Sequence, residues 1–153
     1  MNEYKIRLAT INDIPQLIKL VQLWVEKDSQ ERFKMLSYNL SQPDYHIMIA
    51  EINEKIIGFW AFQILKQWIN TEKQLYFRGL FIHPEHRQKG VMKLIFNEII
   101  KYDFDLAKVE TILNFPLHLG FEKGNDIIWC YRKNPKNTVK FIREKEDLKC
   151  DKK

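Results

Sequence analysis

The chain has 153 residues, of which 45% are hydrophobic, and this composition excludes an intrinsically disordered protein. The length suits one domain with a substantial core, and no apolar run reaches the roughly 18 residues of a membrane span. The net charge of +5 comes from residues 132–153, where nine Lys and Arg stand against four Asp and Glu, while the rest of the chain holds sixteen residues of each sign.

This distribution of charge predicts a single domain over residues 1–133 and a basic tail over residues 134–153, which forms a loose helix or is disordered. Acidic residues are interleaved with the basic ones in the tail, and Phe141 is the aromatic residue there that could stack on a base. These features favour a solvated tail over an arm that binds nucleic acid.

The cellular compartment is predicted from two features. The segment MNEYKIRLAT at the start has no apolar signal core. The two cysteines, Cys130 and Cys150, are too few and too far apart to suggest a disulfide framework, and Cys130, in an apolar segment, is expected to be an inert buried thiol. Both features predict a cytoplasmic protein, and the lack of a long apolar run predicts that it has no membrane partner.

The first half of the chain predicts one strand, two helices and two further strands. A strand over 4–9 precedes an amphipathic helix, whose apolar residues at helical spacing are Ile14, Leu17, Ile18, Val21, Trp24 and Val25. A second helix is predicted over 30–40. Strands follow over 45–52 and 56–65, and Gly58 marks a candidate bulge in the later one.

The second half of the chain alternates strands with helical segments. In chain order the predicted elements are a strand over 75–82, a helix over 89–101 with Met92, Ile95, Phe96 and Ile99 in its apolar stripe, a strand over 109–113, a brief helix or a loop over 114–119 and a strand over 127–132. Sequential strands with few crossovers favour a mixed α/β (α+β) layer over a doubly wound parallel sheet.

The most informative segment is the turn between the strand that ends at Ile82 and the next helix. It contains Arg87, Gln88, Lys89 and Gly90 directly before the helix. The first N–H groups of a helix lack intrahelical partners and point outward, so a glycine in a basic turn at this place suits a phosphate. The alternative is a helix start with a solvated basic turn.

Four segments together resemble the GCN5-related N-acetyltransferase (GNAT) superfamily. They are IRLAT at 6–10 with Asp13 and Ile14, KIIGF at 55–59, LFIHPEHRQKGVM at 80–92 and LGFE at 119–122. The resemblance covers roughly residues 3–132, and its signature turn is fairly specific when it follows a strand and opens a helix. It implies an acetyltransferase-like fold with a central, mostly antiparallel twisted sheet of six to seven strands, flanked by about four helices.

The resemblance also implies an activity. It is that of an N-acetyltransferase that uses acetyl-CoA, without a metal, to acetylate a primary amine of a small molecule or a protein, as a monomer or a homodimer. Backbone groups near Phe81 and Ile82 would meet the pantetheine arm of coenzyme A. The residues that would surround its pyrophosphate are Arg87, Gln88, Lys89, Gly90, Val91 and Met92. The acceptor amine is not readable from the sequence.

Two positions depart from the family's pattern. Met92 stands where the family usually has a second small residue, and its side chain would either lean away from the phosphates or belong to the buried stripe of the helix. Pro116 stands where a tyrosine commonly protonates the thiolate leaving group, and proline has no proton to give. These departures leave open a rival, a catalytically degenerate binding or regulatory module.

The residues that transfer protons are therefore open. The candidates are Tyr76, His83, Glu110, His118 and Tyr131, with Glu72 and Tyr102 as further substitutes. By spacing, Tyr76 occupies the place of the carboxylate base in one branch of the family. Each candidate also has an ordinary explanation as a turn, cap, packing or surface residue. A thiol leaving group needs only modest acid assistance, because its pKa is far below that of an alcohol.

Overall fold

The structure analysed is a computed structural model, which describes residues 3–25, 29–111, 113, 115–125 and 127–134. The predicted basic tail lies outside the described residues from residue 135 onward. None of the helices in the described part of the chain is both long enough and apolar enough to cross a membrane.

Seven strands and four α-helices are found among the described residues. The strands are β1 (Lys5–Leu8), β2 (Tyr45–Ile52), β3 (Lys55–Lys66), β4 (Lys73–Ile82), β5 (Leu106–Glu110), β6 (Glu122–Lys123) and β7 (Ile128–Arg132). The helices are α1 (Ile14–Val21), α2 (Ser29–Ser41), α3 (Val91–Ile99) and α4 (Phe115–His118), with short 3-10 turns at Ile11–Asp13 and Pro84–His86.

The strands form one sheet in the order β1-β2-β3-β4-β5-β7-β6. The pairs β1–β2, β2–β3, β5–β7 and β6–β7 are antiparallel, whereas β4 and β5 are parallel. α3 lies between β4 and β5 in the chain, as expected because parallel neighbours need a crossover connection. The predicted fold class, a mostly antiparallel sheet of six to seven strands with about four helices, is confirmed.

The helix predicted over 30–40 is confirmed as α2, whereas α1 and α3 are shorter than their apolar spacing predicts. α1 ends at Val21, and Trp24 and Val25, which continue its helical spacing, are 56% and 38% exposed. α3 begins after Gly90 rather than at Lys89, because Gly90 has a φ of 79° and a left-handed residue does not continue a right-handed helix.

Two strands near the end of the described chain differ from the prediction. β5 lies at Leu106–Glu110 rather than at 109–113, since its buried residues are Leu106, Ala107 and Val109, whereas Leu113 is 61% exposed. β6 has two exposed residues and therefore no apolar pattern from which it could be predicted. The short α4 and the last predicted strand are confirmed.

The chain divides into two compact units. The first unit comprises Met1–Gln63 and Arg78–Tyr102, and the second comprises Ile64–Phe77 and Asp103–Lys153. The site predicted from the turn belongs to the first unit. Most of the predicted proton-transfer residues belong to the second.

The core of the first unit lies on both faces of its strands. On one face α1 contributes Leu17 and Leu20 to a cluster of buried residues, whose other members are Ile47, Ile49, Ile56, Phe59, Ala61 and Phe81. On the other face Phe96 of α3 lies with its ring 6.1 Å from that of Trp60. Phe59 and Trp60 are adjacent on β3, and the strand's period of two sends them to opposite faces.

The core of the second unit is smaller and mixes aromatic with aliphatic side chains. Phe121 is buried, and its ring lies 6.2 Å from that of Phe77 and 5.4 Å from that of Tyr131. Cys130 on β7 is also buried, as expected.

Gly58 lets the end of β4 lie close to β3. The pairing of β2 with β3 shifts next to it, since Ala50 pairs with Gly58 and the next pair is Glu51 with Ile56, which confirms the predicted bulge. A Cβ on Gly58 would lie 2.7 Å from Cδ1 of Ile82 and 3.3 Å from the carbonyl oxygen of Phe81. The bulge and the glycine together fix where β4 ends and the basic turn begins.

A network of charged side chains joins the start of α1 to β1 and β2. The Arg7 guanidinium donates to the two carboxylate oxygens of Asp13 at 2.8 and 2.9 Å and to Glu51 at 3.1 Å. The Asp13 carboxylate also accepts from the N–H of Thr10 at 2.7 Å. These donors, Arg7 foremost, hold the pKa of Asp13 below its usual value.

Asp13→Asn is expected to make the free energy of unfolding less dependent on pH in the acid range. Because the folded pKa of Asp13 is depressed, the network stabilises the protein above the unfolded pKa of about 3.9 and loses this effect as the pH falls through the folded pKa. At pH 7 the variant should be less stable by about 2 kcal/mol. Urea unfolding at pH values from 7 to 3 measures both effects.

Asp103→Asn is the control for this prediction. Asp103 is paired with Lys73, but its side chain is 82% exposed, so solvent screens the pair and its loss should change the profile little. Equal losses of stability in acid for Asp13→Asn and the unmodified protein would contradict the prediction.

Candidate functional site

The turn after β4 contains two residues with a left-handed backbone conformation and leads directly into α3. Gln88 has a φ of 62° and Gly90 a φ of 79°. The carbonyl of Gly90 accepts the N–H of Leu94 at 3.1 Å, so the helix begins here. No side chain of the described residues caps this end, and a Cβ on Gly90 would meet no atom within 4 Å. The side of Gly90 where a Cβ would stand is therefore open, next to helix N–H groups that have no intrahelical partner.

Arg87 folds back over the end of β4. Its Nε donates to the carbonyl of Ile82 at 2.8 Å, and its guanidinium carbon lies 5.3 Å from the ring centre of Phe81. Gln88, Lys89 and Gly90 are exposed. The turn thus presents backbone groups and the Lys89 cation at its surface, while the Arg87 cation covers the aromatic ring.

Val91 and Met92 differ in burial. Val91 is 1% exposed and belongs to the buried stripe of α3 with Ile95, Phe96 and Ile99, whereas Met92 is half-buried. The predicted stripe is therefore confirmed for Ile95, Phe96 and Ile99, and at its start Val91 rather than Met92 is the buried residue. Met92 lies at the edge of the stripe, beside the open N-terminus of the helix.

His83 makes structural hydrogen bonds in the turn through both its backbone and its side chain. Its N–H donates to the carbonyl of Ile57 at 2.7 Å, and its Nδ1 accepts the N–H of Glu85 at 3.1 Å. It is thus the N-cap of the 3-10 turn that follows. The ordinary explanation of His83, as a turn residue, accounts for both contacts.

A second histidine in the turn was not singled out by the sequence. Nδ1 of His86 lies 2.9 Å from the hydroxyl of Tyr4, and its ring centre is 5.9 Å from that of His83. Burial, followed by the charges of Lys89 and His83, lowers the pKa of His86. No local pattern predicts the contact, because Tyr4 belongs to the opposite end of the first unit's sequence.

Tyr76, in the second unit, is part of a chain of polar side chains. Its hydroxyl donates to Oε1 of Gln74 at 2.5 Å, and the Gln74 amide donates to Glu72 at 3.3 Å. Glu72 is 5% exposed and pairs with Arg132 at 2.6 Å. Glu72 is therefore held as a structural carboxylate rather than as a mobile base.

Pro116 has a structural role in α4. It is buried, and its carbonyl accepts the N–H groups of Leu119 and Phe121, each at 3.0 Å. Tyr131 packs its ring on Phe121, and burial raises the pKa of Tyr131. Pro116, at the position where the family commonly has its tyrosine acid, thus helps to end a short helix.

The other predicted proton-transfer residues lie at separate places. Glu110 ends β5 and His118 ends α4, and both are exposed. Tyr102 belongs to the first unit, where its ring lies 5.2 Å from Phe62 and 5.4 Å from His46, and burial raises its pKa. In the part of the chain that the structure describes, no cluster of three or more His, Cys, Asp or Glu could hold a metal ion.

Comparisons with known proteins agree with this arrangement. The model of the acetyltransferase (GNAT) family matches residues 11–121. A search of curated proteins finds no match. Among solved structures, the aminoglycoside N-acetyltransferase AAC(6')-Iy in complex with CoA is 21% identical, with a TM-score of 0.57 over 65% of this chain and 68% of that chain.

Two further structures are similar in fold. A GNAT family acetyltransferase from Staphylococcus aureus is 23% identical, with a TM-score of 0.57 over 65% of this chain and 76% of its own. A ribosomal-protein-alanine N-acetyltransferase from Brucella melitensis is 17% identical, with a TM-score of 0.54 over 63% of this chain and 69% of its own. At these identities the likeness shows the fold and leaves the acceptor open.

Proposed function

Because the chain belongs to the acetyltransferase (GNAT) family, we propose that it transfers an acetyl group from acetyl-CoA to a primary amine. The observation that carries the proposal is the turn before α3, where Gly90 leaves open space beside an uncapped helix N-terminus. Such an end binds phosphate groups through its N–H groups and its dipole. The similar structure of AAC(6')-Iy contains CoA, which supports the same ligand class here.

The backbone supplies most of the proposed coenzyme site. The pyrophosphate would meet the N–H groups that follow Gly90 and the Lys89 cation, and the pantetheine arm would lie along the backbone of Phe81 and Ile82. The side chain of Val91 points into the core, so Val91 contributes its N–H. Arg87 would reach a phosphate by leaving the Phe81 ring, which costs about 0.5–1 kcal/mol for an exposed cation–π contact.

The proposed chemistry is direct transfer. The neutral amine nitrogen attacks the thioester carbon, a C–N bond forms, and the C–S bond breaks as CoA leaves as a thiolate. The nitrogen loses one proton and the thiolate gains one. Holding both substrates in line supplies much of the rate, and backbone donors near the thioester carbonyl stabilise the developing oxyanion.

Substitution of any single proton-transfer candidate is expected to lower kcat less than tenfold. The substitutions are Tyr76→Phe, His83→Gln, Glu110→Gln, His118→Gln and Tyr131→Phe. His83 caps a turn and the Tyr76 hydroxyl donates to Gln74, and a thiolate needs little acid assistance. Steady-state rates with saturating acetyl-CoA measure the effect. A loss of roughly 10²–10⁴ in one variant would identify it as the catalytic acid or base and contradict this prediction.

Calorimetry with acetyl-CoA and CoA is the direct test of the coenzyme site. We expect binding of both ligands, and no detectable binding at millimolar ligand would refute the proposal. Release of CoA in the presence of a panel of amines then tests the transfer itself.

A second candidate function is a binding or regulatory module that has lost catalysis. Two observations favour it: Pro116 closes α4 where the family's tyrosine acid would stand, and the half-buried Met92 stands beside the helix start at which the phosphates are proposed to bind. This module would bind coenzyme A weakly or not at all and would acetylate no amine in the panel. Steady turnover that depends on Gly90 would exclude it.

A further inference from the structure

An aromatic stack covers the end of β4 in the first unit. The rings of Trp24 and Phe81 lie 5.7 Å apart with an angle of 15° between their planes. Phe81 is 7% exposed, whereas Trp24 is 56% exposed. One face of the indole is therefore held against the strand, and much of the rest of the side chain is open to solvent.

The segment that carries Trp24 is held by hydrogen bonds. The N–H groups of Trp24 and Val25 donate to the carbonyl of Val21 at 2.8 and 2.9 Å, and Nη2 of Arg32 donates to the carbonyl of Val25 at 2.9 Å. These bonds hold the backbone of Trp24, and the stack on Phe81 orients its indole, which we call the platform. Leu23 beside it is 59% exposed, so the platform continues as an apolar surface.

We infer that Trp24 determines acceptor specificity and selects a primary amine with a flat aromatic body. This inference rests on the proposed function, in which the backbone of Phe81 meets the pantetheine arm. The Trp24 ring stacks on the side chain of the same residue, so Trp24 would be a close neighbour of bound acetyl-CoA. Aromatic rings associate at centroid distances of 4.5–7 Å, and an aromatic ring on the acceptor can stack on the open part of the indole while its amino group points toward the thioester. A linear polyamine has no flat face that could stack on the indole.

The test compares amines of different shape and charge. With saturating acetyl-CoA we expect 2-phenylethylamine to have a higher kcat/KM than butylamine, spermidine or kanamycin. Trp24→Ala should raise the KM for 2-phenylethylamine roughly tenfold, the size of one aromatic contact, and change kcat less than twofold. Trp24→Phe should keep most of the affinity, because it keeps a ring.

Trp68→Ala is the matched control. Trp68 is 86% exposed in the turn between β3 and β4 and makes no stack comparable to that of Trp24 among the described contacts, so its removal should leave every KM unchanged. Thermal unfolding and the affinity for CoA show whether each variant is folded. Because Trp24 is more than half exposed, its truncation removes one contact of Phe81 and leaves the other core contacts in place.

Two results would overturn the inference. One is a higher kcat/KM for spermidine or kanamycin than for 2-phenylethylamine. The other is an equal effect of Trp24→Ala on the KM values of 2-phenylethylamine and butylamine. If CoA binds and no amine is acetylated, the proposed function fails separately, and saturation-transfer NMR of 2-phenylethylamine with CoA-loaded protein tests the platform. A signal that Trp24→Ala removes supports the platform, and absence of a signal in the unmodified protein overturns it.

Discussion

Gly90→Asp is expected to abolish binding of coenzyme A while leaving the protein folded. A side chain at this position enters the open space beside the start of α3, because a Cβ there meets no atom within 4 Å. A carboxylate at a helix N-terminus stabilises the helix by about 0.3–1 kcal/mol, which offsets part of the strain of a left-handed φ. The same carboxylate repels phosphate groups by about 4 kcal/mol per pair of charges at 4 Å and an effective dielectric constant of 20.

The measurement is calorimetry with CoA, in which we expect an affinity loss of roughly 100-fold or more. Gly90→Asn is the matched control, since asparagine has nearly the same shape, tolerates the left-handed conformation and carries no charge. It should lose less than about tenfold. Equal losses in both variants would mean that volume or strain, rather than charge, causes the effect, and unchanged binding in Gly90→Asp would place the phosphates elsewhere.

The sequence predicted best those strands whose apolar pattern is long and whose ends are marked by turns. β2 was predicted over 45–52 and is observed at Tyr45–Ile52, because a continuous apolar run there is followed by a tight connection. β5 was misplaced by three residues, because Ala107 and Val109 are no more apolar than Ile112 and Leu113 that follow. Pairing with β4 and β7 decides between these registers, and a local pattern does not contain that information.

The end of α1 shows the same limit. Trp24 continues the helical spacing of α1, yet the helix ends before it and its ring stacks on Phe81, which is far away in the chain. The spacing correctly indicated that Trp24 contacts an apolar residue. It could not show whether Trp24 itself is buried in the core or lies in an exposed stack.

The sequence predicted the backbone conformation of the candidate site, but it predicted few of the contacts that its side chains make. A glycine in a basic turn before a helix was readable because φ at Gly90 and the free N–H groups follow from local chemistry. The contact of Arg87 with Phe81 and the burial of Pro116 follow from packing between distant segments. Side-chain roles in proton transfer depend on such packing, so they stayed open in the sequence.

Glu72→Ala is expected to cause a large loss of stability in the second unit. The Glu72 and Arg132 side chains are 6% and 9% exposed, and their N–O distance is 2.6 Å. Glu72 also accepts from the amides of Asn70 and Gln74 at 3.1 and 3.3 Å. Its removal leaves a buried guanidinium without this carboxylate, which costs about 3–5 kcal/mol, and thermal unfolding should shift down by about 10 °C.

The double variant Glu72→Met/Arg132→Met shows whether the stability lost in Glu72→Ala is caused by the buried charge that is left without its partner. Two apolar side chains of similar volume remove both buried charges, and such replacements are often neutral or stabilising, so the double variant should recover most of the lost stability. Glu98→Ala is the surface control, because the pair of Glu98 with Lys101 is exposed and should contribute less than about 1 kcal/mol. A double variant no more stable than Glu72→Ala would contradict this account and assign the loss to the hydrogen bonds of Asn70 and Gln74, which neither variant restores.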